Sequence, residues 1–156
     1  MNIAQILVDL DHAEGLPRDA LRAATEHRAE LVPRLIDAFE TYTPEDGDEP
    51  LLFFGFLLLG QWRETSAYRP LCRFLRRMGN HIDTLMGDDT VTETANRVMA
   101  SVYDGDPTPL YEVVYDRDAD EYVRGAMCTA LAMLTARGQL SRAEMERFLR
   151  EAFDRL

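Results

Sequence analysis

The sequence predicts an all-α fold: roughly four stacked αα-hairpins plus terminal helices, in one domain spanning residues 1–156. Three observations carry this. Apolar residues recur at the i, i+3, i+4, i+7 spacing of a helix along nearly the whole chain. No segment sustains the period-two alternation of a half-buried strand, and the β-like cluster Val113-Val114-Tyr115 is too short to make one. A frame of apolar and small residues also recurs after 32 residues, a period typical of helical solenoids.

The elements follow in order. Ile3, Ile6, Leu7 and Leu10 share one helical face, with Asn2 placed to cap it. After Gly15, Pro17 opens a helix carrying Ala20, Leu21 and Ala24 that ends near His27. The next helix presents Leu31, Leu35, Ile36 and Phe39; if it begins at Arg28, Pro33 lies deep enough inside to bend it. Thr43 to Pro50 is a charged loop without an apolar side chain. Leu51 to Trp62 is apolar nearly all round, which implies packing on more than one side. Its partner runs from Glu64 to Met78, with Leu71, Phe74, Leu75 and Met78 inward and Gly79 as a left-handed stop. A short helix, His81 to Met86, and the turn Gly87-Asp88-Asp89 lead into a helix over Thr90 to Tyr103. The turn Asp104-Gly105-Asp106-Pro107 precedes helices Thr108 to Tyr115 and Ala119 to Arg137, the latter closed by Gly138. Ser141 and Glu144 form a capping box for the last helix, which runs to Leu156.

The clearest repeat lies in Pro109 to Leu134, where a short helix and an acidic turn precede Val123, Arg124, Ala126, Ala130, Leu131 and Leu134. This resembles a HEAT repeat, which implies that a turn aspartate, Asp118 or Asp120, meets Arg124 and that the alanines let helices approach. Shifted back 32 residues, the frame places Val91, Val98, Met99 and Val102 on Val123, Ala130, Leu131 and Leu134. A fainter copy places Ala67, Leu71 and Leu75 on Ala126, Ala130 and Leu134.

Over nearly the whole chain, the segments 16–40, 57–75, 85–106 and 118–142 resemble a bacterial family of unknown function, the numbered domain of unknown function eleven eighty-six. The blocks Gly60-Gln61-Trp62-Arg63-Glu64 and Tyr103-Asp104-Gly105-Asp106 are the most specific part of the likeness. Some members carry a zinc-binding SEC-C motif afterwards; no cysteine-rich tail follows here, so that metal does not carry over. The resemblance implies the fold and leaves the activity open.

Charge narrows the partners. Seventeen basic residues, all arginine, stand against 28 acidic ones, for a net charge of −11. Without lysine there is no Schiff base and no phosphate-cradling lysine. An acidic surface opposes generic nucleic-acid binding, which needs phosphate neutralisation. Arg69, Arg73, Arg76 and Arg77 cluster, and are read as a solvated face opposite acidic neighbours. Cys72 and Cys128 form no CxxC pair and read as buried thiols in a reducing compartment. The acidic N-terminus is no secretory signal, and the longest apolar run, Leu51 to Leu59, is too short for a bilayer. A cytoplasmic protein without cofactor, metal or membrane association is expected.

Candidate sites are few. Trp62, Arg63 and Glu64 end an apolar helix, either as a recognition patch or as a corner that caps the core. Together with Tyr68, Arg97 and Tyr103 they are the expected protein-binding anchors, with acidic turns favouring a basic partner. Asp116, Asp118 and Asp120 alternate as in a calcium loop, but Glu121 and Met127 stand where an EF-hand needs Gly and Glu, so the aspartates are read as capping the Ala119–Arg137 helix and pairing with Arg124. Glu64 and Glu93 are the candidate carboxylate pair. His12, His27 and His81 have no triad partner at a useful spacing. The favoured function is a protein–protein interaction module. The alternatives are an enzyme with a carboxylate or metal site between hairpins and, more weakly, an acidic nucleic-acid mimic.

Overall fold

A computed structural model of the chain describes residues 1–87 and 89–155. Asp88 and Leu156, and with them part of the expected 87–89 turn and the end of the last helix, lie outside the described residues. Among the described residues there are helices and turns and no strand: α1 (Ile3–Asp11), α2 (Arg18–Glu26), α3 (Arg28–Thr41), α4 (Pro50–Gln61), α5 (Tyr68–Met78), α6 (His81–Met86), α7 (Ala95–Val102), α8 (Thr108–Tyr115), α9 (Glu121–Ala136) and α10 (Arg142–Arg155).

Eight of the helices pack in two rows, with α2 against α1 and α3, and α6 against α4 and α5. One follows α3, α5, α8 and α10; the other follows α1, α4, α7 and α9, and α3 meets α4, α5 meets α7 and α8 meets α9 across the rows. The buried residues form one contiguous cluster from Ile6 to Ala152. Val123, Ala126, Ala130, Leu131 and Leu134 lie inside it, as do Val91, Val98, Met99 and Val102 on the neighbouring element. The fainter copy of the frame is corrected: Leu71 and Leu75 lie on α5, in the row of α3 and α8, while α4 is the neighbour of α7. Both helices of a hairpin share the 3.6-residue apolar period, so a shifted frame matches either one.

Helix α4 shows why a helix can be apolar on every side. It touches α1, α3, α6 and α7. A Cβ at Gly55 would lie 3.1 Å from Leu35, and one at Gly60 would lie 2.9 Å from Val98. These glycines set how closely α3 and α7 approach.

Caps behave locally. The Asn2 side chain accepts from the Gln5 amide, and Ser141 and Glu144 exchange both bonds of a capping box. At the end of α9, Gly138 (φ +74°) closes a Schellman turn in which the Gln139 amide donates to the Leu134 carbonyl. The same turn ends α4, where the Glu64 amide donates to Leu59 and the Arg63 amide to Gly60. There the left-handed position is held by Arg63, at φ +52°.

Three expectations change. The partner of α4 begins at Tyr68 because Thr65–Ala67 forms a separate 3-10 turn after that corner. The helix expected over Thr90 to Tyr103 divides into a wide π-turn, Thr90–Thr94, and α7; the β-branched run Thr90-Val91-Thr92 crowds an ordinary helical turn. Arg124 meets neither Asp118 nor Asp120 in an ion pair. Its Nε donates to the Val114 carbonyl at 3.0 Å, and the Asp120 carboxylate instead caps α9 by accepting from the Tyr122 and Val123 amides.

Candidate functional site

All the expected anchors but Arg97 fall into two corners joined by Thr65–Ala67. In the first, the Schellman turn folds the end of α4 back and places Trp62 in the core, 7% exposed, with Arg63 at the surface. The Glu64 carboxylate accepts from the guanidinium of Arg28, at the start of α3, at 2.8 Å and from the Ser66 hydroxyl at 2.8 Å. The same guanidinium lies 5.9 Å from the Trp62 ring centre. The Trp62 indole N–H is buried without a hydrogen-bond partner among the described residues. The bonds from Arg28 and Ser66 hold the Glu64 carboxyl below its ordinary range.

The second corner joins α5 to the turn before α8. Tyr68 and Tyr103 are both buried and meet edge to face at 5.5 Å. The Tyr68 hydroxyl donates to the Asp106 carbonyl at 2.8 Å, and burial raises both phenols, Tyr103 to about 12. Above them Arg69 grips Asp104 at 2.8 Å and Asp106 at 2.9 Å. Hydrogen bonds from Thr108, then the Arg69 guanidinium, lower the Asp106 carboxyl.

From this corner a groove of about 190 Å³ runs between α5 and α8, with Cys72 on its wall. Arg76 pairs with Asp116 and Glu112, Arg73 reaches back to Glu40 on α3, and Arg77 donates to the Phe39 and Tyr42 carbonyls at the end of α3. In the turn after α8, the aspartate that pairs with an arginine is Asp116, with Arg76 of α5. The arginine cluster ties α5 to α3 on one side and to α8 on the other.

Trp62, Tyr68 and Tyr103 are thus interior, so they shape the surface without forming it. Arg63 and Arg97 are exposed, and Glu64 is half-buried. Arg97 shares no ion pair or ring contact with the two corners.

The family described as a protein of unknown function (DUF1186) matches residues 1–156. The chain belongs to this family. No curated protein and no solved structure matches it.

For this family member the side chains set limits on chemistry. A Glu64 carboxyl held ionised is poorly suited to deliver a proton near neutral pH. Burial pushes the Cys72 thiol up to about 12, so it is not a ready nucleophile. No group of three or more His, Cys, Asp or Glu among the described residues is placed to hold a metal ion, and no helix is long and apolar enough to cross a membrane.

Sequence reading set Arg69 and Arg76 opposite acidic neighbours without naming which, and missed Arg28. Their bonds to Glu64, Asp104, Asp106 and Asp116 span 35 to 40 residues, close to one repeat. A recurring arginine-to-acid offset near the repeat length is the signal that finds them.

Proposed function

We propose that this chain is a helical-repeat interaction module of the cytoplasm, a HEAT-like stack of αα-hairpins with one edge offered to a protein partner. The reading is carried by the two corners, where rings are packed beneath and Arg63 and the acidic turns are left outside; Arg97 is exposed separately on α7. A fixed base lowers the side-chain ordering that binding must overcome. The two rows of helices support the stacked-hairpin description, and free Cys72 and Cys128 suit a reducing compartment.

A photo-crosslinking residue placed at Arg63 or Arg97 should trap the same cellular protein, while one at Arg150 on α10 traps none of it. Equal yield from all three positions, or none from any, overturns the reading.

A further inference from the structure

We propose that a second surface, the groove along α1 and α3 at the first end of the stack, docks a partner segment that is apolar along one stretch and basic at its end. Resting on the interaction-module reading, it adds a location and a partner chemistry.

The groove has two connected parts. Ile3, Ala4 and Leu7 line an apolar stretch of about 440 Å³, and beyond Arg34 it continues into a second stretch of about 480 Å³ that includes Asp37, Asp46 and Glu49. Leu7 and Arg34 belong to both, so the two stretches share a wall. Val8, on the same helix, is half exposed.

The acidic stretch is what selects the occupant. Elsewhere in the α3–α5–α8 row, Glu40, Glu112 and Asp116 meet arginines. Asp37, Asp46 and Glu49 make no ion pair among the described residues, although Arg34 lines the same groove. The Asp46 carboxylate accepts from the Thr43 amide and hydroxyl, which leaves its charge uncompensated. Burial, then Asp11 and Asp46, raise the Glu49 carboxyl, so negative charge crowds here. An apolar floor ending in unpaired carboxylates complements a segment with leucine-like side chains beside arginine or lysine. An anionic membrane is disfavoured by the net charge of −11.

A random peptide library displayed on phage, panned against the whole chain, should return sequences in which basic residues adjoin apolar ones. Selected peptides, measured by fluorescence anisotropy, should lose about tenfold in affinity on Asp37→Asn with Glu49→Gln. The equally neutralising pair Asp118→Asn with Asp154→Asn should change it by less than about twofold. Ala4→Glu, at an exposed position, should also weaken binding. Equal losses from the two neutralised pairs would reveal unspecific charge attraction and overturn the inference, as would no loss from either. Self-association abolished by Phe153→Ser would make a second copy the occupant and overturn it too, since Phe153 is 88% exposed. A null crosslinking result at Arg63 and Arg97 leaves peptide binding here intact, so the two readings fail separately.

Discussion

Between α5 and α8 the acidic side chains face arginines: Asp104 and Asp106 meet Arg69, and Asp116 and Glu112 meet Arg76. At the groove beside α1 and α3, Glu49 feels the charges of Asp11 and Asp46, and Asp37 and Glu49 stay unpaired among the described residues. Both regions are built from the same kinds of residue on neighbouring helices. They differ in what lies one repeat away. α5 lies between α3 and α8, and each of these supplies its arginines with acids, whereas α1 and α3 meet α2, α4 and α5 and no arginine pairs with Asp37 or Glu49 among the described residues. The same residue types therefore cancel charge in one groove and keep it in the other, according to what the neighbouring helices present.

The strongest way to break this comparison is to loosen the inner seam. Gly60→Ala places a methyl 2.9 Å from Val98 and should destabilise by about 1–3 kcal/mol in urea unfolding. Gly15→Ala, where no atom lies within 4 Å, should be neutral or mildly stabilising. Equal effects at both glycines would mean that α4 and α7 are not held at close approach.

The next effect separates the charges themselves. The Asp116 carboxyl is lowered by Arg76 and then by the Asp118 amide. Its contribution is present above the unfolded carboxylate range near pH 4 and is lost as pH falls through the lowered value. Asp116→Asn should reduce stability at pH 7, by up to about 1 kcal/mol for an exposed pair, and flatten the acid limb. The Glu49 carboxyl is raised, so its protonated form favours folding and its charged form opposes it. That benefit is lost as pH rises through the raised value, so Glu49→Gln should increase stability at pH 7. Thermal melts from pH 3 to pH 8 check both signs; changes of the same sign at pH 7 would end the contrast between seam and edge.

The smallest effect sharpens the joint between α4 and α5. Arg63 is left-handed at φ +52°, where glycine is at ease, so Arg63→Gly should stabilise by about 0.5–1 kcal/mol. Gly138→Ala, at the corresponding turn after α9, should destabilise by a similar amount. Chemical denaturation reads both.

Much of this fold was legible in advance. Asn2, Gly138 and the Ser141–Glu144 box marked ends of α1, α9 and α10, because caps form between residues three to five apart. The break at Arg63 was placed without a glycine signal, and what stayed hidden was the 3-10 turn Thr65–Ala67 that delays α5 to Tyr68. The candidate site was less legible. Trp62, Tyr68 and Tyr103 drew notice as anchors because aromatics serve equally in interfaces and in cores. Their burial depends on the helices that cover them.

The amino-acid order by itself determined the all-helical class, most helix boundaries and the apolar faces, since each follows from contacts within one or two turns of chain. Tertiary structure alone decided that Arg124 bonds a carbonyl, that Asp116 pairs with Arg76 and that Asp37 and Glu49 pair with no arginine. Charges that meet across a repeat are separated by more than thirty residues, and over that span only the stacking of helices fixes which side chains come within 4 Å.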